Sequence, residues 1–241
     1  MDGKISRNQT IGWRAISMMG VALTIPNSEA KGIVGPDDMQ QKNQWVQEHL
    51  LVAKPKMPFS FIYGKQASNV LLTAWPKKTE TQQLDGARTQ RSFVWTDPKS
   101  SLEVRLVVVD YAKFPVVEWT AYFRNGGKRN TSILEHIQPL DTAFPLPGNG
   151  LPMVLYSKGC GGMDTYSLQK KPLNPLDSLS ISNEGGGKTL ETIPFFNILM
   201  GQRGMIGAVG WPGEWSISIS RPTDAAIVVK AGMKVMHLSL R

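Results

Sequence analysis

After Pro55 the chain is divided into short runs of apolar and β-branched residues, which recur about every ten residues with turn residues between them. No long helical pattern lies between the runs, which argues against a parallel α/β sheet and favours large antiparallel sheets. The recurrence therefore predicts a mainly β fold, an antiparallel β-sandwich. The predicted strands are 59–63, 70–75, 92–96, 102–109, 116–124, 133–140, 153–156, 179–182, 193–199, 205–211, 215–220, 226–230 and 235–240.

Two of these runs show which side chains should be buried. In residues 117–124 one face carries Val117, Trp119, Ala121 and Phe123, and the opposite face carries Glu118, Thr120, Tyr122 and Arg124. In residues 215–220, Trp215, Ile217 and Ile219 alternate with serines. Each strand is thus predicted to bury one face, with the serines on a solvated or sugar-facing surface.

The amino terminus has the pattern of a secretory signal peptide. Basic residues precede a mostly apolar stretch over 15–25: they are Lys4, Arg7 and Arg14. Small residues at 28–30 supply a cleavage site. The apolar stretch is too short to span a bilayer core of about 30 Å. We therefore expect residues 1–30 to be removed and the chain to be exported to the periplasm or secreted, with no membrane anchor after cleavage.

The mature chain is predicted to begin with a short helix. Asp37 and Asp38 can cap a helix that runs through 39–52, where apolar residues recur at helical spacing. Residues 31–57 are therefore interpreted as a linker with a short helix, and residues 58–241 as one β-sandwich domain.

The charge and the metal-ligand residues exclude several classes of function. Lys and Arg exceed Asp and Glu by 27 to 19, for a net charge of +8, but the basic residues are scattered in pairs among acidic ones. This pattern favours a solvated surface over a nucleic-acid interface. Cys160 is the only cysteine, and His49, His136 and His237 lie far apart in sequence. No metal site and no cofactor are predicted.

The segment 210–215 is the strongest candidate for a binding site. It places Trp211 and Trp215 on either side of a Pro-Gly turn. An indole face can stack on a sugar ring while neighbouring carboxylates, such as Glu214 and Asp164, bind the hydroxyls. The alternative interpretation is that both tryptophans are core anchors at a strand turn.

Several segments of the chain together resemble a known family. They are 58–61 (PFSF), 114–119 (FPVVEW) with Asn125, 133–135 (ILE), 194–198 (PFFNI), 207–215 (GAVGWPGEW) and 231–233 (AGM) with His237. Their residues and order are similar to those of the amino-terminal domain of family 36 glycoside hydrolases, the melibiase-type α-galactosidases. The resemblance covers about residues 45–241.

The resemblance implies a β-supersandwich of the galactose-mutarotase type, which in family members packs against a (β/α)₈ barrel. The two catalytic aspartates of the family belong to that barrel. A barrel alone takes about 250 residues, so this chain of 241 residues contains no segment that matches either aspartate. The expected role is that of a non-catalytic domain that supports a glycoside hydrolase or binds carbohydrate, possible partners being galactosides and a barrel encoded separately.

Two alternatives remain at this point. The chain could be a self-contained carbohydrate-active enzyme, a hydrolase, epimerase or lyase that uses carboxylates on the sandwich. The candidates for that chemistry are Asp110, Glu118, Glu135, Asp141 and Asp164. The chain could also be a truncated fragment with no function of its own.

Overall fold

The computed structural model describes the backbone of residues 10–18, together with residues 36–241 apart from 147, 149, 162, 164, 184–190, 202, 211–212 and 235. The helices are α1 (Pro36–Val46), which continues into a π-helical turn (Gln47–Leu51), and α2 (Ser68–Ala74). The strands are β1 (Thr10–Met18), β2 (Ser60–Tyr63), β3 (Gln66–Ala67), β4 (Lys77–Asp85), β5 (Arg88–Thr96), β6 (Leu102–Tyr111), β7 (Val116–Asn125), β8 (Leu134–Gln138), β9 (Leu140–Pro145), β10 (Met153–Lys158), β11 (Leu168–Pro172), β12 (Ser178–Ser182), β13 (Thr192–Met200), β14 (Arg203–Val209), β15 (Trp215–Thr223), β16 (Ala226–Met233) and β17 (His237–Leu238).

The described strands form one large sheet and two small ones. The large sheet has nine strands in the order β11-β10-β13-β14-β1-β7-β6-β5-β4. The small sheets have four strands each, in the orders β12-β15-β16-β9 and β17-β8-β2-β3. Every pairing between described strands is antiparallel. The predicted fold class, a mainly β antiparallel sandwich with a short helix near the start, is confirmed.

The core lies where the small sheets meet the large one. The face of β7 that was predicted to be buried is almost fully hidden, as is the face of β15 that carries Trp215. The rings of Phe61 on β2 and Phe123 on β7 meet edge to face, with 5.2 Å between their centroids. The indole nitrogen of Trp119 donates a hydrogen bond to the carbonyl oxygen of Pro139 at 2.6 Å. These contacts join the sheets through their predicted apolar faces.

A buried ion pair joins helix α1 to the large sheet. The ammonium of Lys42 lies 2.7 Å from a carboxylate oxygen of Asp110 on β6 and donates to the carbonyl oxygen of Tyr111 at 3.2 Å. The second oxygen of Asp110 accepts a hydrogen bond from Arg91 on β5 at 3.3 Å. The helix is therefore held to the sheet by charge as well as by its apolar residues.

Several segments differ from the sequence-based predictions, and β3, β11 and nearly all of β9 were not among the predicted strands. The run 70–75 was predicted to be a strand, which is wrong, since most of it belongs to helix α2. A short apolar run is equally typical of a buried strand and of a buried helical segment, so its pattern does not distinguish the two. Strand β4 was not predicted, since every residue in it is exposed and an edge strand needs no apolar face. Strand β1 lies within residues 1–30, the segment predicted to be a signal peptide.

Candidate functional site

The predicted tryptophan turn lies at the start of β15. Trp215 is 2% exposed and belongs to the same buried row as Ile217, so in this structure its ring packs in the core and offers no face to a ligand. Glu214 is exposed, and its carbonyl oxygen faces the backbone N–H of Lys234 at 3.5 Å. Trp211 and Asp164 lie outside the described residues. Of the predicted group, the structure therefore places Glu214 on the surface beside a buried Trp215.

Asn183, which the sequence analysis did not single out, lies beside this turn. It follows β12, is 1% exposed, and its backbone N–H donates to the carbonyl oxygen of Trp215 at 3.1 Å. Among the described residues, neither its side-chain oxygen nor its side-chain nitrogen has a hydrogen-bond partner. A buried amide in this state costs about 1–3 kcal/mol for each unpaired group. Because Asn is common in turns, the residue type gave no signal of this burial.

The carboxylates considered for acid-base chemistry have interaction partners where the structure describes them. Asp110 contacts Lys42 and Arg91. Asp141 accepts a hydrogen bond from Ser60 at 2.6 Å and lies 3.4 Å from the ammonium of Lys230, and Glu135 pairs with His237 at 2.9 Å. Glu118 also has an interaction partner. These contacts are typical of structural ion pairs on sheet faces and edges.

A cavity of about 300 Å³ lies between helix α1 and the sheets. The helix contributes polar side chains at one side: Asp38, Gln41, Gln44 and Glu48, with Trp45 and His49 beneath them. The opposite wall comes from β9 and the β13–β14 hairpin and includes Ala143, Phe144, Met200 and Met205. The sequence predicted the helix, but nothing in it indicated that Met200 and Met205 would face the same space.

The indole of Trp45 forms one wall of this cavity and is enclosed on both faces. It stacks on the ring of His49 at 4.4 Å between centroids and on Trp119 at 5.3 Å, with interplanar angles of 13° and 19°. Trp45 is 5% exposed, and its Nε1 has no hydrogen-bond partner within the part of the chain that the structure describes. The edge of the ring that carries this N–H group is buried as well, so the indole is an enclosed structural part of the cavity wall.

His49 is held in one tautomer by its neighbours. Its Nδ1 lies 3.0 Å from the carbonyl oxygen of Trp45, which can only accept, so Nδ1 carries the proton. Its Nε2 then accepts from the hydroxyl of Thr142 at 3.2 Å. Burial lowers the pKa of His49 from its ordinary value of 6.5, although the carbonyl of Trp45 acts in the opposite direction. The imidazole is therefore neutral at neutral pH.

The outer face of the large sheet is apolar at β10, β13 and β14. Phe195 and Ile206 are 52% and 37% exposed. On β13, Asn197 is paired with Ile206 of β14 on one side and with Leu155 of β10 on the other. Leu199, two residues further along β13, is paired with Met153 of β10. Paired residues on neighbouring strands share a face, so these side chains lie on the same face of the sheet. At β6 and β7 the outer face instead carries residues such as Arg105, Tyr122 and Glu118. We refer to Met153, Leu155, Phe195, Leu199 and Ile206 as the apolar outer patch.

Metal and membrane sites were sought in the described part of the chain. There, no group of three or more His, Cys, Asp or Glu side chains is placed to hold a metal ion. The helices of the same residues include none long and apolar enough to cross a membrane.

Comparison with known proteins gives no match by family model or among curated proteins, but it gives clear matches in fold. The family 36 α-galactosidase AgaB from Geobacillus stearothermophilus superposes with a TM-score of 0.54 at 12% identity, over 80% of this chain and 30% of that chain. AgaA from the same organism gives 0.53 at 13% identity, over 76% and 29%. The α-galactosidase from Lactobacillus brevis gives 0.52 at 13% identity, over 80% and 29%.

These matches confirm the predicted resemblance in fold to family 36 α-galactosidases. The chain spans less than a third of the length of those enzymes. Variants of AgaA have been solved in complex with stachyose and with raffinose. At 12–13% identity the likeness establishes a shared architecture.

Proposed function

We propose that this chain is a non-catalytic accessory domain of an α-galactosidase-related glycoside hydrolase, equivalent to the amino-terminal supersandwich of such enzymes. The observation that carries the proposal is the likeness in fold over 76–80% of this chain, which covers only 29–30% of each enzyme. A domain that makes up this share of a hydrolase has the remaining two thirds of the enzyme as its natural partner.

The ion pairs of the described carboxylates support a non-catalytic role. A retaining glycosidase needs two carboxyl groups about 5–5.5 Å apart, one of them able to stay protonated as the acid. Asp110, Asp141 and Glu135 instead contact the side chains of Lys42, Lys230 and His237, so each has a structural partner within the fold. We therefore expect no glycoside hydrolysis by this chain alone.

The apolar outer patch supports the presence of a partner domain. Scattered apolar residues are normal on a protein surface, but a contiguous group on one sheet face marks a surface that another protein or domain covers. We propose that the catalytic domain packs on this patch. The polar face of β6 and β7 on the same sheet would then remain in solvent.

Co-expression tests this proposal. We expect a reading frame next to that of this chain to encode a (β/α)₈ barrel, and we expect p-nitrophenyl α-galactoside to be hydrolysed only when both are produced together. The double variant Phe195→Asp/Ile206→Lys should lower the activity of the pair. The matched control Val107→Lys/Thr120→Asp alters two opposed residues on the polar part of the same face and should leave it unchanged.

Two outcomes would reject the accessory role. One is steady hydrolysis by this chain alone, which would favour a self-contained enzyme. The other is full activity of the barrel without this chain. Raffinose binding at the turn of Trp211 and export of the chain remain predictions, and a Trp211→Ala variant followed by titration with raffinose tests the first of them.

A further inference from the structure

Strand β4 forms one end of the large sheet, and the edge that it turns away from β5 is exposed. Among the described strands it pairs only with β5, and all nine of its residues are exposed. The register shift in that pairing comes after Gln83, so residues 77–83 form a regular and accessible strand. An exposed edge of this length can pair with another strand when no bulge, proline or covering segment prevents it. Four strands of the sheet separate β4 from the apolar outer patch.

Alternate residues of β4 direct their backbone groups to this exposed edge. The backbone N–H of Thr96 donates to the carbonyl oxygen of Pro76 at 3.2 Å, and the register places these two residues opposite each other. In an antiparallel pair, hydrogen-bonded residues alternate with residues that are not hydrogen-bonded to the neighbouring strand. The even-numbered residues of β4 therefore bond to β5. The N–H and C=O groups of the odd-numbered residues, such as Thr79 and Thr81, point away from β5.

A second copy of β4 meets the requirements of this edge. Two copies related by a two-fold axis bring the same surface together, so their β4 strands run antiparallel. In such a pair, the outward groups of the odd-numbered residues bond to those of odd-numbered residues in the other copy. The symmetric registers then differ only in which residue of β4 lies opposite its own copy.

Charge favours one of these registers. Charged side chains on an edge strand usually oppose pairing, but with Thr79 opposite its own copy, Lys78 of each copy lies opposite Glu80 of the other. Both ion pairs then lie at positions that are not hydrogen-bonded, where opposed side chains approach most closely. A shift by one residue in either direction places Lys78 or Glu80 opposite its own copy, which is destabilising. Within residues 77–83, no other symmetric register sets a lysine opposite Glu80.

We propose that this chain forms a two-fold symmetric dimer in which the β4 strands of two copies pair edge to edge, with Thr79 at the axis. The large sheet then continues from one copy into the other, and the ion pairs of Lys78 with Glu80 lie on the face that carries Arg105. An edge contact of this length buries little surface, so the dimer is weak and depends on protein concentration. The apolar outer patch stays accessible in the dimer, so this inference is independent of the accessory role.

Sedimentation velocity of the whole chain over a series of concentrations tests the dimer. An ionic strength of about 0.15 M reduces the repulsion between two chains of net charge +8. Thr79→Pro removes an outward N–H but no hydrogen bond to β5, and it should raise the dissociation constant of the dimer about tenfold or more. The matched control is Leu168→Pro on β11, the edge strand at the other end of the sheet, which should not change this constant. Its N–H also points away from the sheet, since the neighbouring Ser167 bonds to Lys158 of β10.

Charge exchange tests the register. Lys78→Glu and Glu80→Lys each place like charges opposite one another, and each should weaken the dimer. An equimolar mixture of these two variants restores opposite charges at both positions and should form a mixed dimer, and the double variant Lys78→Glu/Glu80→Lys should again pair with itself. Near-ultraviolet circular dichroism reports whether each variant is folded, and the exposed charge variants decide the question if Thr79→Pro is not. The proposal is overturned if the wild type stays monomeric at the highest concentration, if folded Thr79→Pro dimerises like the wild type, or if neither the mixture nor the double variant regains the dimer.

Discussion

Replacement of Lys42 by Met is the sharpest test of how helix α1 is attached. The Lys42 side chain is 3% exposed, and its ammonium contacts Asp110 and the carbonyl oxygen of Tyr111, both on β6. Met keeps much of the apolar stem and removes the charge, so the variant leaves Asp110 with Arg91 as its remaining cation. The change isolates one ion pair without emptying the space that the side chain fills.

The size of the effect follows from the burial of the pair. Removal of one partner from a buried ion pair typically costs about 3–5 kcal/mol, because the other charge is left uncompensated. Arg91 still compensates Asp110 in part, so we expect a loss of about 2–3 kcal/mol in the free energy of unfolding. In a chain of this size that corresponds to a fall in Tm of roughly 4–12 °C.

Urea unfolding, monitored by tryptophan fluorescence, measures this loss in free energy, and calorimetry measures the fall in Tm. Lys54→Met, at an exposed position just after the π-helical turn, is the control and should change stability by less than about 0.5 kcal/mol. If Lys42→Met is as stable as the control, the proposed attachment of α1 by charge is refuted.

Three further predictions concern other parts of the fold. A chain that lacks residues 1–30 loses β1 from its place between β7 and β14, so its free energy of unfolding should be lower than that of the full chain. Equal stability of the two forms would contradict the placement of β1. The intact mass of the exported protein shows whether cleavage occurs. The free energy of unfolding should fall as the pH drops below 6.5, because His49 in the unfolded chain takes up a proton that the native imidazole, with its lowered pKa, does not take up. His49→Gln should make the free energy of unfolding depend less on pH. An unchanged dependence on pH would show that other groups cause it. Gly207→Ala should destabilise the sheet, because its Cβ would lie 2.2 Å from the ring of Phe196, and Phe196→Leu in the same chain should restore part of the loss in a thermal melt.

Sequence reasoning predicted the parts of this fold whose apolar residues alternate. The buried rows of β7 and β15 are visible in the sequence because a strand that packs on one side must place apolar residues at every second position. The short helix α1 was predicted from its spacing for the same kind of reason. Where burial determines the residue types, the sequence is sufficient to predict the element and its buried face.

The rest depended on information that a linear pattern does not contain. Strand β4 is stabilised by its pairing with β5, which leaves no trace in its own polar residues. The cavity needs helix α1 and the β13–β14 hairpin side by side, although Trp45 and Met205 are about 160 residues apart in the chain. Asn183 became notable only through its burial. Sites of this kind depend on tertiary contacts between distant segments.

The position of β1 in the large sheet also has a consequence for how the protein folds. Ala15 pairs with Val209, and Met18 with both Val116 and Ile206, so the strand that joins the two halves of the sheet pairs with segments about 100 and 190 residues further along the chain. Closing loops of about 100–190 residues is slow, because their entropy is lost before the pairing compensates for it. Until that step is complete, the facing edges of β7 and β14 stay unpaired and can accept another strand, which makes aggregation during refolding the characteristic risk of this architecture.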